Sequence, residues 1–160
     1  MYRATISYYD MPRRTKPSDE DYRRLLELRT GLRRFLRWSE EQARAAGLTP
    51  AHHQLLLAIR GHPDQRGPTV GDVAGYLLLR HHSAVGLVDR AVAAGLIARS
   101  QDADNASAVR LRLTEDGSRQ LEALSELHLE ELAHLAPTMH ALWDALDGHP
   151  EHPAGRAATA

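Results

Sequence analysis

At 160 residues, 42% of them hydrophobic, the chain can build one compact domain with an added assembly element but not two full domains. It has no cysteine, no apolar run of the roughly 18 residues a membrane span needs, and no continuous apolar core of a secretory signal, so a soluble cytoplasmic protein is expected. The net charge of −1 hides a gradient: residues 1–66 carry 13 basic and 8 acidic groups, residues 67–113 carry 5 and 4, and residues 114–160 carry 2 and 9.

Residues 1–17 mix Pro12, Pro17, basic residues and Tyr8-Tyr9 without helical periodicity, and read as a flexible arm. Ser18 before Asp19, Glu20 and Asp21 has the form of a helix start, an oxygen cap followed by acids in the first turn. Leu25, Leu28, Leu32, Phe35, Leu36 and Ala43 then recur at helical spacing up to Gly47, which predicts one long amphipathic helix over about 18–46. Thr49-Pro50 pairs a cap with a proline at the first helical position and opens a second helix ending at Gly61, with His53, Leu56 and Leu57 expected to face inward.

After the loop HPDQRGP, Thr69 caps a short helix, VGDVAGYLLL. A turn near Arg80 leads into a further helix in which Ala84, Leu87, Val88 and Ala91 mark the buried face. Gly95 ends it. LIARS reads as a strand, and VRLRLT alternates, with Val109, Leu111 and Leu113 on one face and Arg110 and Arg112 on the other. Thr114 caps a last long helix that Pro137 is expected to interrupt, leaving a short terminal helix and then a tail over 148–160.

The predicted fold class is therefore mainly α with a small β-hairpin wing. It is a winged helix-turn-helix over about 48–114, flanked by dimerisation helices over about 18–46 and 115–147. The flanking helices carry apolar stripes with no partner inside so small a lobe, and need each other or another chain to bury them.

The pieces LTPAHHQLLLAI, TVGDVAGYL, SAVGLVDRAVAAGLI and VRLRLTEDG, in this order and spacing, resemble the MarR family of bacterial transcriptional regulators over roughly residues 20–147. The resemblance implies a homodimer whose first and last helices interlock while two winged lobes sit on successive major grooves of a pseudo-palindromic operator. It also implies a crevice that takes small aromatic effectors. On that basis Thr69, Arg80, His81, His82, Ser83, Val85, Gly86, Arg90, Arg110 and Arg112 are candidate DNA contacts. Phe35, Trp38, His53 and Leu56 are candidates for the effector pocket, with dimer packing or a hydrogen-bonded core histidine as the competing role.

Two departures from the family pattern bear on function. The wing tip holds Asn105, Ala106 and Ser107 where relatives carry an aspartate-arginine pair whose arginine enters the minor groove, and Val85 and Gly86 replace a threonine and a larger polar residue. Base reading is therefore expected to be lean, with more weight on phosphates and DNA shape. The ten histidines show no i, i+4 pair of metal-binding type, and there is neither a phosphate loop nor a nucleophile elbow, so no metal, cofactor or enzymatic activity is expected. The expected function is a dimeric DNA-binding regulator, most simply a repressor released by a small effector. The alternative is a protein-interaction module that kept the fold and dimer with weakened DNA binding.

Overall fold

The computed structural model describes residues 16–102, 105 and 108–147. The arm up to residue 15, the tail from 148, and Ala106 and Ser107 of the wing tip lie outside the described residues. The elements run α1 (Asp19–Ala45), α2 (Pro50–Arg60), α3 (Val70–Tyr76), α4 (His81–Ala93), β1 (Ile97–Gln101), β2 (Val109–Leu113) and α5 (Glu115–Asp147). Residues 35–136 make one compact unit; the first part of α1 and the end of α5 belong to a second.

The larger unit is built on a single apolar core. Leu55 and Leu56 of α2, Val73 of α3, Val88 of α4, Leu111 of β2 and Leu124 of α5 are almost wholly buried in it, with Ala43 of α1. Each such leucine or valine contributes about 1.5–3 kcal/mol by leaving water, so the strands and helices share one source of stability. The stripe on α2 runs through His53, Leu55, Leu56 and Ile59. Leu57, expected to face inward, is exposed, because the packed face of this helix is centred one residue earlier.

Side-chain caps fix the helix starts. The Thr49 hydroxyl accepts from the His52 amide at 3.1 Å. Thr69 and Asp72 form a reciprocal capping box, the Thr69 amide donating to the Asp72 carboxylate at 2.8 Å. The ends share one device. After α1, α3 and α4 a residue turns into the left-handed region, and the next amide donates back to a carbonyl five residues before it: Leu48 to Ala43, Leu79 to Ala74 and Leu96 to Ala91. Gly47 and Gly95 fill that position after α1 and α4, but after α3 it is Leu78, at φ 54° and 92% exposed. The sequence pattern VGDVAGYLLL predicts α3 on through Leu79, because no glycine marks the stop at Tyr76.

β1 and β2 pair antiparallel, with Ile97 opposite Leu113, Arg99 opposite Leu111 and Gln101 opposite Val109. The outer edge of β2 is covered as well: the Leu111 amide donates to the Pro68 carbonyl at 2.9 Å, tying the wing to the loop before α3. Gly67 makes this approach possible. It sits at φ +88°, and a β-carbon there would run into the Leu111 carbonyl. Gly117 does the same for α5, since a β-carbon would strike the Leu96 carbonyl.

Pro137 does not end the last helix. α5 continues through it to Asp147, since a proline inside a long helix removes one backbone bond, here to Ala133, without having to stop it. In the second unit α1 opens on Ser18, whose hydroxyl accepts from the Asp21 amide at 3.2 Å, and Glu20 pairs with Arg23 and Arg24. Tyr22, Leu25, Leu26 and Leu32 of this segment are exposed. Among the described residues no helix is long and apolar enough to cross a membrane.

Two substitutions at left-handed positions should part company in chemical unfolding. Gly67→Ala should cost about 1–3 kcal/mol or more, since strain and collision coincide. Leu78→Gly should leave stability unchanged or raise it by up to about 1 kcal/mol, because relief of strain is offset by the freer unfolded chain.

Candidate nucleic-acid interface

α4 is amphipathic in the sense a groove-reading helix requires. Ala84, Leu87, Val88 and Ala91 are buried against the core, while Arg80, His81, His82 and Ser83 at its start are all exposed. Arg80 occupies the cap position without a side-chain cap bond, so its guanidinium stays available beside the free amides of the first turn. Directly opposite the buried stripe run His82, Gly86, Asp89 and Ala93. Val85 is half-buried on the flank. A β-carbon at Gly86 would stand 3.4 Å from the Arg90 guanidinium, so Arg90 lies back along the helix past Gly86. Its charge also bears on His52 of α2.

The candidate arginines of the wing have different surroundings. Arg112 is exposed and makes no ion pair among the described residues. The Arg110 side chain is only 15% exposed: it donates to the buried Asp102 carboxylate at 2.5 Å and to the Gly67 carbonyl at 3.0 Å. Asp102 is the hub of this network, since Arg66 also approaches it at 3.5 Å. Arg66 in turn holds Asp64, whose carboxyl is kept down at about 2, chiefly by the Arg66 side-chain hydrogen bond. Simple alternation along β2 put Arg110 on the open face with Arg112, but the α2–α3 loop covers that end of the strand. Val109, expected on the apolar face, is exposed instead.

Thr69 is likewise occupied. Its hydroxyl donates to Asp72 at 2.8 Å within the capping box, so any phosphate contact there would come from a group already in use. One arginine escaped the sequence reading. Arg99 of β1 donates to Asp89 of α4 at 2.6 Å, joining the wing to α4. Its place on the strand face shared with Leu111 was the available signal.

The residues assigned to an effector pocket do come together, around a histidine the sequence did not single out. Phe35 and Trp38 stack at 6.0 Å, Trp38 lies 5.0 Å from the His128 ring, and His53 lies 4.7 Å from it on the other side. His128 Nδ1 is 2.6 Å from the Leu124 carbonyl, which can only accept, so Nδ1 carries a hydrogen, and Nε2 is hydrogen-bonded with the Ser39 hydroxyl at 2.7 Å. Leu56 is completely buried in the core, and His53 is 6% exposed. Burial first, and then the neighbouring His128, push the His53 pKa below its ordinary 6.5. A cavity of about 300 Å³ opens elsewhere, between Arg60 of α2, Leu113 of β2 and Leu121, Glu122, Ser125 and Leu129 of α5. Among the described residues no three histidine or carboxylate side chains gather as a metal site.

Because the folded protein holds His53 neutral, the unfolded chain takes up that proton first. The stability present above pH 6.5 is therefore lost as pH falls below it. Thermal unfolding followed from pH 7.5 to 5.5 should show the midpoint dropping, with a shallower drop in His53→Gln. Arg110→Ala should lower the midpoint at every pH, since it leaves the buried Asp102 short of its closest partner.

Comparison with known proteins bears on this geometry. The sequence model of the MarR family matches residues 46–106, which take in α2, the helix-turn-helix and the first strand of the wing. No curated protein matches the sequence. Among solved structures, a MarR family transcription regulator superposes with a TM-score of 0.67 at 21% identity, over 81% of this chain and 89% of that one. A MarR family protein from Bacillus stearothermophilus gives 0.58 at 26% identity, over 79% and 92%. The S. aureus MepR–DNA complex gives 0.60 at 20% identity, over 71% and 82%. Residues 46–106 thus resemble the MarR family in sequence, and the chain has the winged helix-turn-helix fold of the MarR-family transcription regulators.

Proposed function

We propose that the protein is a homodimeric, sequence-specific DNA-binding repressor whose grip on a pseudo-palindromic operator is released by a small-molecule effector. The observation that carries this reading is the start of α4, where Arg80, His81, His82 and Ser83 stand exposed on a helix otherwise anchored in the core. They offer a guanidinium, two imidazoles and a hydroxyl to base edges, and the first-turn amides to a phosphate. Arg112 adds a phosphate contact from the wing. The MepR complex supports the reading, since that relative of similar fold is seen with DNA.

Dimerisation is supported by what the long helices leave uncovered. Leu25, Leu26, Leu32 and Leu36 of α1 and Leu127, Leu129 and Leu132 of α5 are exposed large apolar side chains, of the kind a partner chain would cover. An isologous dimer would bury them and set two α4 helices about 34 Å apart, one turn of B-DNA. The Phe35, Trp38, His53 and His128 cluster supports the effector step. A small aromatic ligand entering among these rings would wedge α2 from α1 and α5, favouring a spacing of the reading helices that no longer fits two major grooves.

The test is binding of the purified protein to the DNA beside its own gene, titrated against salt with competitor DNA present. Competitor-resistant binding is expected, and Arg80→Ala should reduce the salt slope by about two per dimer, one phosphate per half-site. Weak binding, equal for every sequence, would overturn the repressor reading and favour a protein-interaction module.

A further inference from the structure

The outward face of α4 contains a feature that DNA binding should disfavour. Asp89 lies one turn beyond Gly86, directly opposite the buried stripe, and is 55% exposed at its side chain. A carboxylate here faces a polyanion. Its one observed partner is Arg99, the residue of β1 opposite the buried Leu111, whose side chain is 39% exposed. The Arg99 Nη2 donates to Asp89 Oδ1 at 2.6 Å, leaving the rest of the guanidinium with donors to spare.

This pair occupies a particular place. α4 supplies one end and the wing the other, so the bridge spans the angle between the two elements that approach DNA in a winged helix. Elsewhere on the wing, Arg112 is the arginine left without an ion pair among the described residues. Arg110 is spent on Asp102 and Gly67, and the tip has Asn105 in place of the usual charged pair. Arg99 is thus a partly exposed wing cation tied to α4.

We propose that Arg99 is a DNA-backbone contact of this protein, oriented by Asp89, and that it takes over the anchoring role of the missing wing-tip arginine. Asp89 is then a positioning residue. It neutralises its own charge against Arg99 and spends the electrostatic cost of an acid near phosphate on fixing a guanidinium whose fork can still grip a phosphate oxygen. The inference rests on the DNA-binding reading above.

The experiment uses the full chain and a fluorescent duplex selected by the wild-type protein from a random-sequence library, with affinity measured from 50 to 300 mM salt. Arg99→Ala should weaken binding roughly tenfold or more and reduce the salt slope by about two per dimer. Arg99→Lys should restore much of the slope but not the full affinity. The sign at Asp89 decides the mechanism. Asp89→Asn removes a negative charge beside DNA, so an acid that merely repels would give tighter binding on substitution. If it positions Arg99, binding weakens despite the gain in charge. Unchanged slope in Arg99→Ala, or tighter binding by Asp89→Asn, with thermal midpoints within a few degrees of wild type, overturns the proposal. Failure of the wild-type protein to select or bind any duplex overturns the DNA-binding reading itself, and the two failures are distinct.

Discussion

The structure depends on one backbone hydrogen bond and the glycine that permits it. The Leu111 amide reaches the Pro68 carbonyl because Gly67 has no side chain to hold the strands apart, and this seats the β-hairpin on the loop that enters α3. Leu111, fully buried, then closes the core from the wing side, while Arg110 next to it turns back to the Gly67 carbonyl and the buried Asp102. The seat is therefore held at three chemically different points: a backbone bond, an apolar plug and an ion pair shielded from water. A two-stranded hairpin is marginal on its own. Here it becomes a rigid extension of the helix-turn-helix, which is what gives the angle between wing and α4 a defined value.

The same economy explains why cations near a winged helix cannot be counted from sequence. Arg66, Arg99, Arg110 and Arg112 all surround the wing, yet only Arg112 stands without an ion pair among the described residues. Arg110 and Arg66 hold the hairpin to the α2–α3 loop. Arg99 links hairpin and α4. An arginine in this family fold has three tasks open to it, and the acids at 64, 89 and 102 assign them.

Much of this was legible in the chain because caps and periodicity are local. Thr49-Pro50, Thr69 with Asp72, and Thr114 announce helix starts through their own side chains, and the spacing of Ala84, Leu87, Val88 and Ala91 identifies the buried side of α4 without reference to anything else. The errors arose where a neighbour distant in sequence overrode the local rule. Leu78 takes a position that glycine normally marks, so α3 read as longer than it is. Pro137 obeys the rule for an isolated helix but is carried by a long one. Alternation along β2 could not show that the loop from α2 covers one end of the strand. His128 was invisible as a partner of His53 because 75 residues separate them, and only packing of α5 against α1 and α2 brings the rings to 4.7 Å.

A recognition helix with Gly86 and Asp89 on its central face carries little that can discriminate one base pair from another beyond its first turn. In the proposed complex, hydrogen-bonding groups at 80–83 would reach only the few base pairs nearest the helix start, and the remaining cationic groups of α4 and the wing would meet the backbone. Such a surface gains selectivity by holding its phosphate contacts at a fixed geometry, so that only a duplex whose groove width and bend match can satisfy all of them together. Rigidity then does what side-chain variety would do in a richer helix. On the proposed DNA-binding function, the bridges from Arg110 to Asp102 and from Arg99 to Asp89 would matter as much as the exposed residues, because they fix the hairpin that carries Arg112 and the angle it makes with α4.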